Sequence, residues 1–201
     1  MTEEQDTCRF RSPELIAREC SALLVVDVQQ KMLANIGQQE QIVWNIDRLT
    51  RAASLLKVPA FVSEQYPQRL GATVEPLRQN LGEAVPKRMF SCRECEQFYQ
   101  AWRSSEIRQI VVCGIESHVC VLQTAFDLLA EGYTVYVVAD AIGSRGDLDH
   151  QIALRRFETC GAVLTTTESV LFEWCETSTI PEFKQISSLI TEPAPQPREL
   201  T

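Results

Sequence analysis

Histidine is scarce in this chain, which has only His118 and His150. Two imidazoles leave little room for a histidine-based metal centre or for a triad that uses His as its base. Long hydrophobic runs are missing too. The apolar stretches are about 5–6 residues, whereas a membrane span needs about 20. No basic cluster stands out among 19 basic and 27 acidic residues, and the net charge is −8. Nucleic acid is therefore not an expected partner, because a phosphate backbone is held by clustered cations. The opening Met1-Thr2-Glu3-Glu4-Gln5-Asp6 lacks the basic and apolar regions of a signal peptide. It also lacks the Arg- and Ser-rich character of a transit peptide. No membrane partner and a cytoplasmic location are expected.

Cysteine is plentiful, with eight residues in a chain of 201 that is 45% hydrophobic. A chain with that much apolar content can build a core without covalent staples, so reduced thiols are the expectation. Cys113, Cys120 and Cys160 all read as lying in or beside core elements. One domain is expected over 1–201, with its core at about 20–190. The prolines at 193, 195 and 197 read 192–201 as a mobile tail.

Strands and helices alternate along the chain. Ala22-Leu23-Leu24-Val25-Val26 is a continuous apolar run of the kind found in a central parallel strand. Further strands read at 59–63, weakly at 85–89, and at 110–115, 134–139 and 162–166. Ile42, Ile46, Leu49, Ala53 and Leu56 mark one helical face. Ser91 with Glu94, and Thr165 with Glu168, match capping boxes that would open helices. Other helices read at 118–131, 149–160 and 181–190. The pattern implies a three-layer, doubly wound, Rossmann-like α/β sandwich on a six-stranded, mainly parallel sheet. In such folds ligands bind outside the carboxyl ends of the strands. Asp27, Cys120 and Asp140 fall at such ends.

Cys120 follows an apolar run and a turn, Gly114-Ile115-Glu116-Ser117, and opens an amphipathic stretch. A thiol in the first turn of a helix sits where the dipole and free N–H groups favour a thiolate. The same N–H groups can hold an oxyanion. A free thiol ionises near 8.5, and a nearby Lys would lower that value further. With no suitable His, an Asp would have to carry the proton. The plainer readings stand beside these: Cys120 as a small core residue, Asp27 and Asp140 as loop or capping carboxylates, Lys87 as a surface lysine. Cys92 and Cys95 form a C-x-x-C that could be a redox pair. His118 reads as a rim or structural residue. Trp44 or Trp102, on an outer helix face, would hint at an interface.

Val25-Val26-Asp27-Val28-Gln29, Lys87 within Val85-Pro86-Lys87-Arg88-Met89-Phe90-Ser91, and Gly114-Ile115-Glu116-Ser117-His118-Val119-Cys120-Val121 together resemble the isochorismatase-like cysteine hydrolases. Glu64-Gln65-Tyr66-Pro67, Leu70-Gly71 and Ser169 to Trp174 narrow the likeness to one branch of that family. The resemblance implies a cysteine-dependent hydrolase with an Asp27–Lys87–Cys120 triad. Cys120 would be the nucleophile, Asp27 the acid/base and Lys87 the stabilising cation. The backbone N–H groups of Glu116 and Cys120 would form the oxyanion hole, the first aimed by a cis Ile115–Glu116 peptide. Gln29, Glu64, Tyr66 and Phe90 are the candidate substrate-binding residues. Nicotinamidases of this family carry an Asp/His metal cluster after the second strand. Ser63 to Pro67 has no His, so no metal and no cofactor are expected. Members that cleave a vinyl ether commonly have Gly at the nucleophile position, so Cys120 points to acyl chemistry. The expected activity is cleavage of a small amide or related acyl compound through a thioester, by a homo-oligomer. The alternative is a non-catalytic oligomeric module.

Overall fold

The computed structural model describes residues 11–195. A 3-10 turn at Arg18–Cys20 leads into β1 (Ser21–Val26), followed by a short α1 (Gln30–Leu33) and a long α2 (Gln39–Leu56). Then come β2 (Ala60–Gln65), the short helices α3 (Pro67–Leu70) and α4 (Leu77–Asn80), and β3 (Val85–Lys87). A 3-10 turn at Cys92–Glu94 precedes α5 (Glu96–Ser104) and β4 (Gln109–Ile115). A wide π turn, Ser117–Val121, runs straight into α6 (Leu122–Ala130). The chain closes with β5 (Thr134–Gly143), α7 (Asp147–Thr159), β6 (Val163–Thr165), α8 (Thr167–Cys175) and α9 (Phe183–Ile190).

The six strands form one sheet in the order β3-β2-β1-β4-β5-β6. Every pairing in it is parallel, so the sheet is wholly rather than mainly parallel. Period-2 alternation splits each central strand between two layers. Leu23 and Val25 of β1, with Val111 and Cys113 of β4, face α2, α8 and α9. Ala22, Leu24 and Val26, with Ile110 and Val112, face α5, α6 and α7. Both sides are apolar, which is why β1 and β4 read as unbroken hydrophobic runs and are buried along their whole length. The helical face of α2 is buried as its 4-3-4-3 spacing requires. The strand order reverses direction between β1 and β4, and that switch point is where the layers part into a crevice.

Several local expectations are corrected. The Ser91 hydroxyl accepts from Arg93 N at 3.0 Å. Glu94 instead takes Arg88 N and Met89 N at 2.6 and 2.7 Å, so no capping box forms. Two unpaired N–H groups after β3 compete better for that carboxylate than the single Ser91 amide. The cap of α8 is Thr166 rather than Thr165, accepting from Ser169 N. Asp140 lies inside β5, which extends past a register slip opposite Val112 and Gly114. Its carboxylate does cap, as the plainer reading has it, accepting from Thr167 N of α8 at 2.8 Å. Cys160 is exposed, whereas Cys113 and Cys120 are buried. Trp102 is wholly buried in an aromatic cluster with Phe61, Phe98, Tyr99 and Tyr133. Trp44 is capped by the Arg48 guanidinium at 3.7 Å. At the carboxyl end, Glu192 takes two donors from Arg51, while 196–201 lie outside the described residues. Among the described residues no helix is long and apolar enough to cross a membrane.

Candidate active site

β1 ends at Val26, and Asp27 turns the chain with φ of 51°. Asp is one of the few L-residues that tolerate that left-handed conformation. The turn buries the carboxylate completely. Its Oδ2 accepts from Lys87 Nζ at 2.7 Å, and its Oδ1 from Ser63 Oγ at 2.8 Å. Lys87 reaches inward from the end of the edge strand β3. Its ammonium also donates to Gln65 Oε1 at 2.7 Å, Phe90 O at 2.8 Å and Met89 O at 3.2 Å. Neither side chain of the ion pair has any solvent exposure. A buried charge pair is tolerable only when its remaining bonding capacity is met, and here the hydroxyl, the amide and two carbonyls meet it. Burial works most strongly against the charge of Lys87, but the Asp27 carboxylate and the neighbouring Cys120 and Cys92 together outweigh it and raise the ammonium pKa.

β4 reaches the same point from the other side of the switch. Gly114 has φ of 118°, and a Cβ there would stand 2.1 Å from Val26 O. Only glycine lets the two strand ends approach so closely. The Ile115–Glu116 peptide that follows is cis. Cys120 comes next, buried but lining a cavity of about 430 Å³ together with Gln65, Phe90, Glu116, Arg145 and Lys31. That volume is at the small-ligand end of the usual range. Burial, and then the negative charge of Asp27, push the Cys120 thiol well above the ordinary thiol range, against the pull of Lys87. The expected lowering of its pKa is thereby corrected. The carboxylate and the dry wall together outweigh the cation.

The four candidate substrate residues are dispersed. Phe90 lines the cavity and is half exposed. Gln29 is fully buried and grips β2, accepting from Gln65 N at 2.7 Å and donating to Gln65 O at 3.1 Å. Glu64 faces a separate hollow and accepts from Thr73 N and Oγ1. The Tyr66 ring stacks beneath the Arg88 guanidinium at 3.5 Å. Ser63, Gln65, Lys31 and Arg145 went unnoticed in the sequence. Polar side chains at the carboxyl end of the otherwise apolar β2 were the available signal for the first two.

Behind Asp27 stands a second sulfur. Cys92 Sγ donates to Ser63 Oγ at 3.3 Å, and Cys92 and Cys95 are both buried free thiols. The two histidines join one hydrogen-bonded chain. His118 Nδ1 meets Ser144 Oγ at 2.9 Å, Ser144 meets Ser117 Oγ at 2.7 Å, and Ser117 meets His150 Nδ1 at 2.9 Å. His118 thus braces the loop after β5. Among the described residues no three His, Cys, Asp or Glu side chains converge as metal ligands.

A doubly wound parallel sheet, with a buried Asp–Lys pair and a cysteine helix turn at its switch point, defines an isochorismatase-like hydrolase. The chain belongs to that family, for the Isochorismatase domain matches residues 21–169. Isochorismatase domain-containing protein 2 of Xenopus laevis is 38% identical over 180 residues, covering 90% of this chain and 88% of the relative. The solved structure of MAR1 ribonuclease from Caenorhabditis elegans has a TM-score of 0.82 at 38% identity, covering 93% of this chain and 97% of its own. YcaC from Escherichia coli, described as an octameric hydrolase of unknown specificity, has a TM-score of 0.77 at 21% identity. It covers 89% of this chain and 97% of its own, and it shares the fold.

Proposed function

We propose that this protein hydrolyses the C–N bond of a small amide or related acyl compound, using Asp27, Lys87 and Cys120. The observation that carries the reading is the fully buried Asp27–Lys87 pair at 2.7 Å, beside a cavity that Cys120 lines. Substrate enters and Asp27 takes the thiol proton, a transfer favoured once the sulfur begins to bond to carbon. The sulfur attacks the carbonyl carbon, and the oxyanion rests on the N–H groups of Glu116 and Cys120. The C–N bond breaks as Asp27 returns the proton to the departing amine. Asp27 then takes a proton from water, the hydroxide attacks the thioester, and the acid leaves as the thiol re-forms. Lys87 stays protonated throughout and offsets the charge that alternates between carboxylate and sulfur. No step draws on a cofactor.

The Caenorhabditis elegans relative is named a ribonuclease. We favour a small amide here because the chain carries a net charge of −8, and a phosphate backbone needs several converging cations. The octameric YcaC supports assembly as a homo-oligomer. The test is a panel of small amides, hydroxamates and imides, with RNA alongside, given to wild type and Cys120→Ala. Turnover of a panel compound by wild type alone is expected, with matching thermal melts for both proteins. Activity retained in Cys120→Ala, or cleavage of RNA only, overturns the proposal.

A further inference from the structure

We infer that the substrate also carries a carboxylate, held at the cavity by Lys31 and Arg145; this rests on the reading of Cys120 as a nucleophile. The cavity lining holds two cations, Lys31 and Arg145, against one carboxylate, Glu116. That balance is opposite to the chain's own, with 27 acidic and 19 basic residues. The Glu116 carboxylate is already engaged, by Arg145 N at 2.9 Å and Arg145 Nε at 3.1 and 3.2 Å. Asp27 and Lys87 offset each other at 2.7 Å. One positive charge is left over in the site.

Geometry puts that charge within a ligand's reach. Lys31 Nζ donates to Arg69 O at 2.7 Å. A carbonyl fixes the ammonium without neutralising it. Arg145 meets Glu116 through Nε, and its side chain is 64% exposed, so the far edge of the guanidinium faces outward. A planar fork and an ammonium lining one cavity suit a carboxylate. Met32, Leu70, Phe90 and Val119 supply an apolar lining. Such walls strengthen a nearby charge and suit a short carbon chain.

Two reagents that differ only in charge test this. Iodoacetate and iodoacetamide both alkylate a thiol, the sulfur displacing iodide while its proton passes to buffer. The rate of each at Cys120 is read by peptide mass spectrometry on the full chain. The acetate-to-acetamide ratio is then normalised to that of glutathione. Wild type is expected to favour iodoacetate relative to glutathione. The normalised ratio should fall about fivefold in Lys31→Gln, the loss of one unit charge near the reacting group. It should fall further in Lys31→Glu, and the wild-type preference should shrink in high salt. Lys31 is exposed on a short helix, so these variants are expected to melt with wild type. Equal ratios in wild type, Lys31→Gln and Lys31→Glu, with Cys120 labelled by both reagents, overturn the inference and leave the hydrolase reading standing. Labelling of Cys120 by iodoacetamide but not by iodoacetate overturns the inference alone, and failure of both reagents to reach Cys120 defeats that reading and the inference with it.

Discussion

Cys120 is caught between a carboxylate that discourages its ionisation and a lysine that encourages it. Burial sides with the carboxylate, and the thiol pKa is raised. Labelling by iodoacetamide should therefore keep accelerating past pH 8.5, where a free thiol is already half ionised. A rate that levels off by pH 7 would show that Lys87 wins instead. Stability follows the same sign. The unfolded thiol loses its proton near its ordinary pKa while the folded one resists, so folding weakens as pH rises above that value. Lys87, also raised, keeps its full contribution below about 10.5 and loses it above. The meeting of Asp27 and Lys87 was legible from a family resemblance, and the place of Cys120 beyond β4 from the order of strand, turn and helix. Lys31 and Arg145 were not, because their nearness depends on the paths of loops that no periodicity encodes.

Among the elements, the junction of β1 and β4 is the least forgiving. Gly114 has no room for a side chain beside Val26. Gly132 shares a positive φ of 87° but has nothing within 4 Å. Both alanine substitutions bear the conformational cost, about 1–3 kcal/mol, and only Gly114→Ala adds a clash with backbone. Urea unfolding should show a clearly larger loss for Gly114→Ala than for Gly132→Ala, and equal losses would mean the strands can part at little cost. The buried strands were legible because both of their faces are apolar. The caps were misread because Glu94 had rival partners and Thr165 ends β6, neither of which spacing alone discloses. The extension of β5 to Gly143 was hidden by a register slip, which depends on its neighbour rather than on its own residues.

On the scale of the whole molecule, the doubly wound plan, with its crevice at the switch point, followed from alternation and handedness, and only the strand order had to be seen. Assembly is the property least visible in one chain. Light scattering is expected to return a multiple of 22.7 kDa, and a monomer's mass would remove the oligomer from the proposal. Beyond the strand ladders, one nitrogen ties the ends of three strands together. Lys87 Nζ bonds to Asp27 after β1, to Gln65 of β2 and to the two carbonyls beyond β3. Phe90, at one of those carbonyls, is also cavity wall. A protein deprived of this amine loses all four of those bonds at once, and so makes a poor blank for an assay; the Cys120 sulfur, which joins no strand ends, is the part to delete.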